Sequence, residues 1–124
     1  SLVELLDLYP TVANLCGLPE QGRLQGKDVS LLFDDPQAVV REEVFSVAPM
    51  RQGFLIRERD WAYIQNGEDA AGGVELFDLQ RDPKQYTNLA QDPRHQAQRK
   101  RLRGKLERKL EAVRRNDLPG RQGA

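Results

Sequence analysis

Apolar residues along the first eighteen positions recur at helical steps. Leu2, Leu5, Leu6 and Leu8, then Val12, Leu15 and Cys16, follow one another at three- and four-residue spacing, as a helix with a buried stripe requires. Ser1 supplies a cap, and Pro10, which disfavours helical geometry at Tyr9, predicts a kink or break there, with Pro10 and Thr11 opening a second short helix. Gly17, followed by Leu18-Pro19, is a stop signal. Residues 19–28 read as a polar loop, Ser30-Leu31-Leu32-Phe33 as one helical turn, and residues 34–42 as surface connection.

From Glu43 the period shortens to that of strands. Val44 to Val47, Phe54 to Glu58, Trp61 to Gln65 and Val74 to Leu79 are short β-branched or aromatic runs. Arg59-Asp60 makes the second and third of them an antiparallel hairpin, and Asn66-Gly67 with Gly72-Gly73 bracket the loop to the fourth. Asp92-Pro93 caps and opens a long helix whose apolar row is Leu102, Leu106, Leu110 and Val113, and Pro119-Gly120 ends it. The fold class expected is α+β: a small four-stranded antiparallel sheet, a long C-terminal helix packed on one face, and N-terminal helices. Within a unit of residues 1–117, the helical segment occupies 1–33, the sheet 43–79 and the long helix 92–116, leaving 118–124 as a tail.

The length of 124 residues suits one domain, and 39% hydrophobic with 31% charged residues is an ordinary globular composition without a membrane-spanning run. The chain opens on Ser1-Leu2-Val3-Glu4 without an initiator Met and directly in an apolar periodic segment, which reads as the start of a fragment. A net charge of zero hides an asymmetry: residues 1–93 carry 8 basic against 16 acidic side chains, and residues 94–115 carry 10 against 2. Such a split fits a basic helix docking on an acidic body, or a partner-binding tail. The single Cys16 excludes an internal disulfide and reads as a small buried hydrophobe.

No hydrolytic set of nucleophile, base or metal, and oxyanion donors can be assembled from these residues. His95 is the only histidine and falls in the first turn of an exposed helix, where a solvated role is expected. Asp28, Asp34 and Asp35 lack the alternating ligand spacing and glycine of a calcium loop and read as solvated turn acids. The basic run Arg99-Lys100-Arg101-Leu102-Arg103 suggests nucleic acid, but no aromatic residue is interleaved for stacking. An amphipathic helix surface accounts for it better, so neither nucleic acid nor membrane is expected as a partner. A nucleic-acid-binding helix over 94–115 and a free-standing interaction module stand as alternative classes.

Four ordered stretches resemble the type I sulfatases of the alkaline phosphatase-like superfamily. The first runs from Val3 through Asp7, Pro10-Thr11 and the apolar helix ending at Gly17; the second is Leu24-Gln25-Gly26-Lys27-Asp28-Val29-Ser30-Leu31-Leu32, with Asp28 where the family has Ser. The third is the hairpin from Leu55 to Ile64. The fourth is Glu75-Leu76-Phe77-Asp78-Leu79 with Asp82-Pro83 and Asn88-Leu89-Ala90, where Gln85 replaces the usual Glu. Around Met50-Arg51 the apolar order is more similar to the iduronate and choline sulfatase branches than to the arylsulfatases.

The resemblance implies a non-catalytic C-terminal subdomain, with Asp7, Pro10, Thr11, Gly26, Asp78, Asp82, Pro83 and Asn88 as structural motif positions. In the family, calcium and a formylglycine made from Cys or Ser in a Cys/Ser-x-Pro-x-Arg motif belong to a larger N-terminal catalytic domain. Neither is expected in this chain, where Cys16 is followed by Gly17-Leu18-Pro19 at the wrong spacing. The implied partner is that domain, and separation from it would leave an apolar face around Leu2, Leu5 and Tyr9 open to self-association. The loop Pro49 to Gly53 is the candidate contribution to a substrate pocket, through Met50, Arg51 and Gln52, with a plain strand connection as its alternative. Periplasmic, secreted and cytoplasmic bacterial locations all remain open.

Overall fold

The computed structural model describes residues 1–19, 22, 24–48 and 52–115. They fall into two compact units, one of residues 1–42 with 113–115 of those described, the other of residues 43–112.

The larger unit is built on four antiparallel strands in the order β1 (Glu43–Ala48), β2 (Gly53–Glu58), β3 (Trp61–Asn66) and β4 (Val74–Asp78). Register follows the period-two pattern: Phe45 pairs with Ile56, Ile56 with Tyr63 and Tyr63 with Leu76, so one aromatic and aliphatic row crosses one face. Leu102, Leu106 and Leu110 of the long helix, at four-residue steps, join Phe54, Ile56, Tyr63 and Leu76 in one buried cluster. Ile56, Leu76, Leu102 and Leu106 are completely buried, each contributing about 1.5 to 3 kcal/mol relative to exposure. The α+β architecture expected from the pattern is therefore the one observed.

Local chemistry fixes the ends of these elements. A two-residue turn, Arg59-Asp60, joins β2 to β3, and the Leu79 amide donates to the Asp60 carbonyl at 2.8 Å. In the β3–β4 loop Gly67 takes φ +85°, a left-handed conformation that costs glycine least. The Asp92 carboxylate accepts from the Arg94 amide, Pro93 opens a 3₁₀ turn over Pro93–His95, and the long helix, here called α3, runs Gln96–Arg114. His95 is half-buried with its ring 5.6 Å from that of Trp61, a correction to its expected solvated role: the 3₁₀ turn brings it against the sheet.

In the smaller unit a 3₁₀ turn, Leu5–Asp7, leads directly into α1, Leu8–Leu15, and a single turn, α2, spans Leu31–Asp34. The expected break at Tyr9 is absent. Pro10 is the third residue of α1, where an amide would have no intrahelical partner, so its missing N–H costs nothing. Ser1 caps no helix; its hydroxyl accepts from the Val40 amide at 3.1 Å. At the far end of α1, Gly17 has φ +68°, its amide donates to Asn14 and that of Leu18 to Ala13, a Schellman ending at the expected stop.

The apolar stripe is not buried within this unit and stands open, as expected around Leu5 and Tyr9, whereas Cys16 departs from its expected burial. Leu5, Leu8, Tyr9, Val12 and Leu15 are exposed, whereas Asp7, Thr11 and Ala13 are the buried positions of the segment. Cys16 is exposed as the residue capping α1, not a buried hydrophobe. Residues 34–42 run over the surface as expected, except for Arg41, which is buried.

Candidate functional site: an apolar face over a carboxylate clamp

Asp7 organises the smaller unit. Its Oδ2 accepts from the Glu4 amide at 2.8 Å and from Arg41 Nε at 2.9 Å, and its Oδ1 accepts from the Lys27 amide at 2.7 Å and from Arg41 Nη2. Arg41 also lies 3.3 Å from Glu4 Oε2. Burial by itself would raise the Asp7 carboxyl. The Arg41 hydrogen bond, the Glu4 and Lys27 amides and the Arg41 charge together outweigh it and bring the group from 3.8 down to about 2.

Thr11 extends the clamp: its hydroxyl donates to the Asp7 carbonyl at 2.6 Å and accepts from the Val29 amide at 3.0 Å. Gly26 passes so close to the chain that an added Cβ would fall on the Leu6 carbonyl, so only glycine fits. Asp7, Pro10, Thr11 and Gly26 are thus gathered around one junction of turn, helix and loop. Beside it, Asp28 accepts from the Asn14 side chain at 2.8 Å and from the Ser30 amide at 2.9 Å, which ties α1 to the turn before α2.

The consequence is an inverted segment. Its polar side chains face inward to the clamp, so its leucines are presented outward: Leu5 is 88% exposed, and Leu8, Tyr9 and Leu15 are each 60% exposed. A row of this size on one short segment is the kind of apolar surface that marks a docking site.

Asp78, Asp82, Pro83 and Asn88 form a second framework, within the sheet unit. Asp78 Oδ1 accepts from the Gln80 and Arg81 amides, Asp82 Oδ2 from the Thr87 amide, and Gln85 turns the chain at φ +58°, while Pro83 is exposed. The turn returns Asn88 to the outer edge of β4. There its side chain accepts from the Leu76 amide at 3.0 Å and donates to the Val74 carbonyl at 3.2 Å, and the Leu89 amide adds a bond to the Leu76 carbonyl at 2.8 Å. Asn88 acts as a substitute strand that covers the edge.

Of the three proposed pocket residues, Met50 and Arg51 lie outside the described residues. Gln52 is exposed with φ +48°, and its carbonyl accepts from the Gly67 amide, so the β1–β2 and β3–β4 loops are joined at one end of the sheet. At the opposite end of β2, Glu58 accepts from Arg101 at 2.8 Å and pairs with Lys105 at 2.6 Å, while Lys105 also reaches Glu43 at 2.7 Å. Arg101 foremost, then Lys105, draws the Glu58 carboxyl to about 2 against the opposing effect of burial. The basic helix therefore does dock on acidic positions of the sheet.

Sequence reasoning missed Arg41 and its partner Glu4. The available signal was that Arg41 is the only base between Lys27 and Arg51, directly after the apolar Val39-Val40. Among the described residues no group of three or more His, Cys, Asp and Glu side chains is placed to hold a metal, and no helix is long and apolar enough to cross a membrane. Cys16 is followed by Gly17-Leu18-Pro19 and lacks the x-Pro-x-Arg spacing, so it does not fit the precursor of a formylglycine.

A small antiparallel sheet covered by one helix, preceded in the chain by a segment with an exposed apolar row, is an α+β arrangement. Residues 1–112 match the family described as N-sulphoglucosamine sulphohydrolase, C-terminal, and the chain belongs to that family. It is 36% identical over 97 residues to a choline-sulfatase of Rhizobium meliloti (strain 1021), covering 72% of this chain and 18% of that protein. It is 29% identical over 101 residues to arylsulfatase K of Bos taurus, covering 73% and 19%. The solved structure of a 2-O GAG sulfatase superposes with a TM-score of 0.73 at 24% identity, covering 86% of this chain and 24% of that one, a likeness of fold. The chain thus spans about a fifth of the length of the curated relatives it matches.

Proposed function

We propose that residues 1–117 are the C-terminal subdomain of a sulfuric ester hydrolase, that they catalyse nothing alone, and that residues 1–33 seat them against a catalytic domain carrying the calcium and formylglycine. The observation that carries this reading is the inverted segment. Leu5, Leu8, Tyr9, Val12 and Leu15 are exposed because the buried Asp7 clamp fixes the opposite side inward, a costly arrangement for a surface meant to face water. Family membership and the small share of its relatives' length support the same assignment. The motif positions Asp7, Pro10, Thr11, Gly26, Asp78, Asp82, Pro83 and Asn88 then hold the subdomain's frame and leave chemistry to the partner domain.

The loop of residues 49–53 is assigned to the rim of the substrate pocket. Arg51 offers a two-pronged donor to a sulfate or carboxylate, and Gly53, the first residue of β2, lets backbone approach closely. Substituting Arg51→Ala in the longer enzyme should lower kcat/KM about tenfold to a hundredfold, the scale of a lost charge-assisted hydrogen bond. An unchanged value removes Arg51 from the pocket.

The seating itself is tested by supplying this chain in trans to the remainder of the enzyme and following sulfate release from an aryl sulfate. Activity should need both pieces and should fail when the added chain carries Leu8→Asp and Val12→Asp. Sulfate release by the 124-residue chain alone, or full activity of the other piece without it, overturns the reading.

A further inference from the structure

Gln65 is 2% exposed and stands opposite Phe54 of β2, on the face that carries Tyr63, Ile56 and Leu76. An amide buried there costs stability unless its polar groups are bonded. They are: Nε2 donates to the Gly67 carbonyl at 3.0 Å and to the Glu68 carbonyl at 2.8 Å, and Oε1 accepts from the buried Tyr63 hydroxyl at 3.1 Å. The orientation is dictated, since two carbonyls can only accept and must face the NH₂ group. All three bonds lie within β3 and the loop after it, so they add nothing to the pairing of the strands. An apolar side chain would serve the core at less cost, which leaves the loop as what Gln65 is there to hold.

We infer that Gln65 is a positioning residue for the β1–β2 loop, acting through the loop that follows β3. The Gly67 amide donates to the Gln52 carbonyl at 2.9 Å, so the two loops meet at the peptide that Gln65 grips. The β3–β4 loop is itself held in one shape: the Asn66 carbonyl accepts from the Gly72 amide at 2.9 Å and the Gly67 carbonyl from the Ala70 amide at 3.2 Å. Ala70 is kept at φ +65°, a left-handed conformation that persists in a residue with a side chain only where its surroundings over-determine it. Gln52, at φ +48°, is thereby tied at the point where the β1–β2 loop enters β2. A loop tethered there gives up less freedom when it meets a ligand. The inference rests on the place proposed above for that loop at the rim of the substrate pocket, and adds the buried residue that sets its geometry.

Amide hydrogen exchange in the 124-residue chain reads the tether without catalysis. In Gln65→Leu the Gly67 amide should exchange about tenfold faster, while the Leu79 amide, bonded to Asp60 at the opposite end of the sheet, keeps its rate. Tyr63→Phe removes only the hydroxyl that orients the amide; it should speed Gly67 by less, and it serves where the leucine variant misfolds. In the longer enzyme Gln65→Leu should raise KM about tenfold with kcat held, and should add nothing further in an Arg51→Ala background. Glu58→Gln, which weakens the same sheet from its opposite end, should leave KM where it is. Unchanged Gly67 exchange in both core variants overturns the tether. With Arg51→Ala impaired as expected, a Gln65→Leu loss that adds to it in full, or that Glu58→Gln reproduces, overturns the positioning role alone. An unchanged Arg51→Ala enzyme is the separate failure of the pocket-rim assignment and overturns the inference with it.

Discussion

Arg41 closes on Asp7 across 34 positions of chain, and that pair decides which side of the N-terminal segment faces inward. The carboxylate also accepts the Glu4 and Lys27 amides, so its removal orphans three sets of donors at once. Removing one partner of a buried ion pair costs about 3 to 5 kcal/mol, because the other charge stays buried without compensation. Asp7→Ala should therefore lower the urea midpoint of the smaller unit more than Arg41→Ala, which leaves the carboxylate its two backbone donors. Equal and small effects, below about 1 kcal/mol, would mean that the clamp is replaceable by water.

Acid should loosen both units over one window. Asp7 and Glu58 are each held at about 2, below their ordinary 3.8 and 4.5, so each contributes stability that is complete above the unfolded value and lost as pH falls toward the folded one. Stability should be level with respect to these two groups above about pH 5 and fall between about 4.5 and 2. Trp61 is the only tryptophan and begins β3, so its fluorescence reports the sheet unit. Glu58→Gln should flatten the fluorescence-monitored urea midpoint across that window while Asp7→Asn leaves it sloping. An unchanged slope in Glu58→Gln would show that the Arg101 and Lys105 contacts contribute nothing to folding.

The sheet unit was readable because its pattern and its packing agree. Phe45, Ile56, Tyr63 and Leu76 share one face across four short runs, and Leu102, Leu106 and Leu110 match them at helical spacing. The N-terminal segment was readable only by half. Its period reveals an apolar face but not what covers that face, and the inward residues are an Asp and a Thr whose partners lie 34 and 18 positions away. Periodicity carries no information about such pairs, so Asp7 was legible as a motif position and Arg41 only as a lone base following the apolar Val39-Val40. The break expected at Pro10 failed for a local reason: the preceding 3₁₀ turn shifts the helix start to Leu8 and places the proline in the first turn.

Asn88 tests whether the outer edge of β4 needs its substitute strand. Its side chain satisfies the Leu76 amide and the Val74 carbonyl, and Leu76 is a fully buried member of the core. Asn88→Ala leaves both backbone groups without that partner and should cost about 1 to 3 kcal/mol, measurable as a lower urea midpoint. Asn88→Asp keeps the acceptor for Leu76 and loses only the donor, so it should fall between wild type and Ala. If Asp proved worse than Ala, charge at the edge would outweigh the hydrogen bond, and the strand-substitute role would be wrong.

The exposed row Leu5, Leu8, Tyr9, Val12 and Leu15 makes a prediction about the isolated chain. With no catalytic domain to cover them, these side chains should meet their counterparts on a second molecule, so sedimentation should show mass rising with concentration. Leu8→Asp with Val12→Asp should abolish that rise without unfolding, because both residues are exposed and neither touches the Asp7 clamp. Hydrophobic association weakens on cooling while contacts between charges weaken with salt, so cold should reduce the assembly and moderate salt should not. A monomer at every concentration, or an assembly that salt dissolves and the double aspartate variant retains, would show that the apolar row is not the surface through which this chain seeks a partner.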